Sequence, residues 1–130
     1  MRGLLIGLSC AVIATGAMAG GKSYKEKDCN RLTVQMDLNE CAGANYDAAD
    51  KALNTLYKYV MSMQTDPKAR AQLHDSERAW IVSRDKSCND EVGPQEEGGS
   101  IWSMEMSNCL QKKTDERIGV LQRIARQPSP

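Results

Sequence analysis

Few side chains in this 130-residue chain have types and spacings that could do chemistry. His74 is its single histidine, and with Asp75 and Glu77 beside it could serve as an acid/base group. A catalytic site needs several groups converging at fixed geometry, yet the chain holds no G-x-S-x-G, no H-E-x-x-H, no glycine-rich phosphate loop and no second imidazole. His74 therefore reads as a solvated helical residue, and no enzyme is expected. Met61-x-Met63 and Met104-x-Met106 offer soft thioethers of the kind that suit copper(I). On a helix, residues two apart point about 200° away from each other, so each pair splits between faces and packs in the core instead. No metal or other cofactor is implied.

The cysteines say more. Arg2, the apolar run Leu4 to Thr15 and the Ala17-Met18-Ala19 pattern follow the three-part layout of a secretory signal peptide, with cleavage expected after Ala19. The run is about 12 residues long where a membrane span needs roughly 20, so no stable membrane insertion is expected. Gly7-Leu8-Ser9-Cys10 ends like a lipobox, but its leading residue is not aliphatic, and Cys10 is expected to leave with the signal. Cys29, Cys41, Cys88 and Cys109 remain, an even count in an exported chain, which reads as two disulfides in a periplasmic or secreted protein. Zinc ligation lacks both a C-x-x-C knuckle and a second histidine. The 17 Lys+Arg balance the 17 Asp+Glu, which leaves no basic footprint for a nucleic acid.

Helices must position these groups. Residues 20–32 read as a flexible lead-in, and residues 33–127 as one helical domain. Leu38, Ala42, Tyr46, Ala49, Leu53, Leu56, Val60 and Met63 recur at spacings of three and four, which predicts a first helix from Gln35 to Met63. Asp66-Pro67 supplies an N-cap followed by proline at the first helical position. Ala69, Leu73, Ser76, Trp80, Ser83 and Arg84 carry the second helix to Cys88. Asn89 to Gly99, with its three glycines and one proline, reads as the main loop. Ser100 would cap a third helix with the stripe Ile101, Met104, Leu110, Thr114, Ile118, Leu121 and Ile124 or Ala125. The expected fold is all-α: a small antiparallel three-helix bundle stapled by two disulfides.

If the first two helices fold back around Thr65, Cys88 comes level with about residue 42, so Cys41 is its expected partner. Cys109, nine residues into the third helix at 1.5 Å each, would sit about 14 Å from Cys88, beyond the roughly 7 Å that bridged alpha carbons allow. Cys29 is then left for Cys109. Between Ser87 and Gln111 lie five acidic residues, Asp90, Glu91, Glu96, Glu97 and Glu105, and no basic one. That lopsidedness describes either a solvated loop or a docking surface for a cationic partner.

An ordered set of motifs runs through these elements: Thr33-x-Gln35, Asn39-x-Cys41, Tyr46-x-x-Ala49-Asp50-x-x-Leu53-Asn54-x-x-Tyr57, Arg78-Ala79-Trp80-x-x-x-Arg84-Asp85-x-x-Cys88, Gly98-Gly99-Ser100, Cys109, and Thr114-x-x-Arg117 with Leu121. From about Cys29 to Leu121 the chain resembles the lysozyme-inhibitor LprI-like family of exported bacterial proteins. It departs from that pattern at Ser76-Glu77-Arg78, where Ala-Gln-Arg is more usual, and in lacking the lipobox of the anchored members. The resemblance implies a compact, disulfide-bonded helical domain of the bacterial envelope, with inhibition of lysozyme as its named activity. Most of the motif also has a structural account: Tyr46 and Tyr57 beside the apolar stripe, Trp80 as a core anchor, Arg84 and Asp85 bonding a neighbouring element, Asp50 and Asn54 as a polar rim. Recognition then falls to the acidic segment. Asp90, Glu91, Glu96 and Glu97 would steer a cationic c-type lysozyme, and Val92 or Pro94 would enter its glycan cleft. The alternative is a non-catalytic structural or adaptor module whose partner is another envelope protein.

Overall fold

The computed structural model describes residues 22–127, so the expected signal segment, Cys10 included, lies outside the described residues. Within them every regular element is helical. Helix α1 (Gln35–Met63) has the expected bounds. Its stripe turns Ala42, Ala49, Leu53 and Val60 fully inward, with Leu38, Tyr46, Leu56 and Met63 half-buried at the margins. Asp66 caps α2 (Pro67–Val92) by accepting the Ala69 amide at 3.0 Å, and Pro67 occupies the first turn, where its missing N–H costs nothing.

The expected long loop is mostly helix. α2 continues past Cys88 to Val92, and after Gly93 and Pro94 come a single-turn α3 (Gln95–Gly98) and a 3-10 turn (Gly99–Ile101) leading into α4 (Trp102–Arg126). Ser100 lies inside the 3-10 turn and caps nothing. Gly93 and Gly99 take φ of +79° and +61°, backbone that other residues adopt only under strain. A Cβ on Gly98 would meet Trp102 Cδ1 at 2.5 Å. The glycines thus make a tight reversal, which the indole N–H of Trp102 fastens by donating to the Gly93 carbonyl at 2.9 Å.

α4 is the helix the others share. It lies along α1 and, over a shorter stretch, along α2, whereas α1 and α2 meet at only a few side chains. Ala42 and Ala49 are small enough to let α4 approach closely. Leu53, Val60, Leu73, Ile118 and Leu121 form the main core, with Trp80 and Tyr57 packed against it. A second cluster of Cys88, Met106 and Cys109 closes the other end, covered by Val92, Trp102 and Leu110.

This arrangement overturns the expected pairing of Cys41 with Cys88 and of Cys29 with Cys109. The bonds are Cys29–Cys41, with alpha carbons 6.0 Å apart, and Cys88–Cys109, at 5.7 Å. The hairpin that matters joins α2 to α4. Cys88 and Cys109 each stand ten residues from the nearer member of the Gly98-Gly99 pair, and so are level across it. Ending α2 at Cys88 hid that symmetry. In the chain-entropy account each bond contributes about 3 kcal/mol.

Cys29–Cys41 leads to a second correction. Of the expected flexible lead-in, residues 20–32, the described part from 22 onward contains no helix but forms a strap across α1 and α4. Asn45, buried on α1, accepts the Lys27 amide at 2.7 Å and donates to the Lys27 carbonyl at 3.0 Å. The amide of Gln111 on α4 donates to Tyr24 Oη and Glu26 Oε1, both at 2.9 Å. The Tyr24 hydroxyl donates to Asp115 at 2.8 Å. No helix among the described residues is long and apolar enough to cross a membrane.

Candidate functional site

The motif residues of α1 and α2 converge on two guanidinium groups and one indole. Arg84, 9% exposed, projects from α2, where Nε and Nη2 both donate to Asp85 at 2.8 Å. The same group stands 3.5 Å from Asp50 of α1, whose carboxylate also accepts from Asn54. It lies 5.1 Å from the centre of the Trp80 ring and 5.7 Å from that of Tyr46. Arg117, from α4, stands 5.7 Å from the Trp80 ring. Arg117 donates to Glu77 at 2.8 Å, both side chains being nearly buried, and to Ser76 Oγ at 3.1 Å. Burial pushes the phenols of Tyr46 and Tyr57 above their ordinary range. Every guanidinium here is matched by a carboxylate, as burial requires. The cluster joins three helices by charge-assisted bonds and aromatic faces. Tyr46, Asp50, Asn54, Trp80, Arg84 and Asp85 thus bridge α1 and α2, while Tyr57 packs against the main core. Glu77 and Arg117 were missed as partners because two charged residues 40 positions apart give no local signal of burial.

Asn39 explains another part of the motif. Its amide donates to the Ser100 carbonyl at 2.9 Å, and Gln35 donates to Asn39. Those bonds pin the start of α1 to the turn before α4. His74 lies apart from all of this, half-exposed, with Asp75 at 3.3 Å.

The acidic residues gather at the end that this turn defines. Asp90 and Glu91 close α2, Glu96 and Glu97 form α3, and Glu105 opens α4. Asp90 pairs with Lys86. Glu91 shares a shallow pocket of about 340 Å³ with Glu105 and Lys112. Pro94 is exposed at the tip, whereas Val92 is half-buried against the second core cluster and is not presented to solvent as a tip residue. The Asn39–Ser100 bond brings the start of α1 to the same end. With it come Asp37 and Glu40 and two exposed apolar side chains, Val34 at 54% and Met36 at 66%. Ile101, in the 3-10 turn, adds a third at 41%. The contribution of α1 was not visible in sequence, since it depends on a contact spanning 61 positions.

Comparison with known proteins places this geometry. The lysozyme inhibitor LprI family matches residues 26–121, from the strap to the last core leucine of α4. The chain belongs to that family. An uncharacterised protein of Rhizobium meliloti (strain 1021), R02472, is 37% identical over 111 residues, covering 76% of this chain and 79% of its own length. No solved structure matches. The LprI match begins at Glu26, inside the strap, so the segment fastened by Cys29–Cys41 belongs to the family domain and does not merely precede it.

Proposed function

We propose that this LprI-family protein is an exported, non-catalytic inhibitor that binds a cationic c-type lysozyme through its acidic end and covers the enzyme's glycan cleft. The family match carries the reading, and the gathering of carboxylates from α1, α2, α3 and α4 at one end supports it. Asp90, Glu91, Glu96 and Glu97 steer the approach, with Asp37 and Glu40 extending the same field. Charge complementarity of this kind acts chiefly on the association rate. Pro94, Val34, Met36 and Ile101 are exposed apolar groups available to enter the cleft, while Val92 keeps the tip in shape from beneath. A stable complex buries about 800 Å² on each partner, which is most of this end of the molecule. The two disulfides fit an oxidising compartment, the periplasm or the medium.

A lytic assay tests the reading. Oxidised protein added to c-type lysozyme and cell-wall substrate is expected to protect the substrate in proportion to dose, and thiol reduction is expected to abolish the effect. Absence of protection at any dose would remove lysozyme as the target and leave the envelope-adaptor role.

A further inference from the structure

α2 packs with one side only. Leu73, Glu77, Arg84 and Cys88 are buried and fix the inward direction, so at about 100° per residue Val82 points away from the rest of the molecule. Asp75, Arg78, Ala79 and Lys86 share that outer face. Val82 is 69% exposed and Ile81 40%, and with Arg78 and Ala79 they line a shallow groove of about 420 Å³. The side chains of Asp75 and Lys86 are 82% and 74% exposed. Among the described residues Lys86 pairs only with Asp90, one turn away, an exposed pair that contributes little.

We infer that this face is a self-association surface, on which α2 of a second copy of the chain packs antiparallel about a two-fold axis passing between positions 80 and 81. The register of charges argues for it. Residues equidistant from such an axis face each other, so Asp75 faces Lys86 of the second copy, Lys86 faces its Asp75, and Ala79 faces its Val82. On the other flank Arg78 falls within about 3 Å, two helical rises, of the level of the second copy's Asp85. Opposite charges thus surround a small apolar centre on both flanks. A parallel arrangement would instead set Asp75 against Asp75 and Lys86 against Lys86. Ala79 leaves room for the 8–10 Å approach of packed helices. At a crossing angle of about 20°, positions about 8 Å from the axis separate sideways by only about 3 Å, within a lysine's reach. Such self-complementarity is what an isologous two-fold contact requires of a single patch. The patch is small, so the dimer is weak, with a dissociation constant on the order of 100 µM. This inference uses the outer face of α2, which adjoins the acidic end at the Lys86–Asp90 pair, and stands whether or not lysozyme is the target.

Sedimentation equilibrium of the oxidised protein from about 10 µM to 1 mM is the test, the range that brackets such a constant. The wild type is expected to dimerise with concentration, and Val82→Glu to weaken dimerisation at least about tenfold. Asp75→Lys and Lys86→Asp should each weaken it similarly, because each sets like charges together. An equimolar mixture of those two variants should form a heterodimer at least about tenfold tighter than either homodimer, since one then carries two lysines at these positions and the other two aspartates. Unchanged circular dichroism of each variant separates lost association from lost folding. A monomer throughout the wild-type series would overturn the inference, as would a mixture that associates no better than its components.

Discussion

Arg117 and Glu77 show how much a buried charge depends on its partner. Glu77→Ala leaves a nearly buried guanidinium without its carboxylate, and should cost about 3–5 kcal/mol, read as a lower urea midpoint at unchanged slope. Replacing both together, Glu77→Leu with Arg117→Met, should recover most of that loss, because two apolar groups of similar volume need no compensation. Thr114 offers the opposite case. Its hydroxyl is fully buried without a hydrogen-bond partner among the described residues, so Thr114→Val should raise stability by about 1 kcal/mol by removing an unmatched polar atom. A midpoint lower than wild type would show that the hydroxyl is satisfied in solution.

At the scale of elements, the strap is the part of the fold that pH should reach first. The hydrogen bond from Lys22, then that from Gln111, hold the Glu26 carboxyl below its ordinary 4.5. Its contribution is therefore complete above pH 4.5 and is lost as pH falls through the lower folded value. Burial is the main reason the Tyr24 phenol lies above its ordinary 10.0, so that contribution holds below pH 10 and fades as pH rises through the higher folded value. The protection factor of the Lys27 amide, bonded to Asn45, should be greatest between these limits and fall on both sides. Cys29→Ser with Cys41→Ser should lower that protection at every pH. The helices themselves were largely legible in the sequence, since the α1 stripe and the Asp66-Pro67 start are local signals. What escaped notice was non-local. The disulfide pairing turned on α2 continuing to Val92, where the polar residues Asn89 to Glu91 resemble a loop, and on a hairpin centred at Gly98-Gly99. The strap looked flexible because lysines dominate it, while the groups that hold it, Asn45 and Gln111, lie far along the chain.

For the whole molecule, the charge asymmetry was legible but its extent was not: the sequence pointed to the segment around Asp90 to Glu97, and folding adds the start of α1. Neutralising the four carboxylates with Asp90→Asn, Glu91→Gln, Glu96→Gln and Glu97→Gln should slow association with a cationic lysozyme about tenfold or more at low salt and flatten its ionic-strength dependence. Stopped-flow measurements at two salt concentrations would show it. Unchanged rates would take this end out of the encounter. The Cys88–Cys109 bond has a separate consequence under proteolysis. It encloses the whole reversal from Asn89 to Asn108, so a single nick at the exposed Pro94-to-Ser100 stretch severs the backbone without releasing either fragment. Clipped material should migrate as one band on a non-reducing gel and as two after thiol treatment.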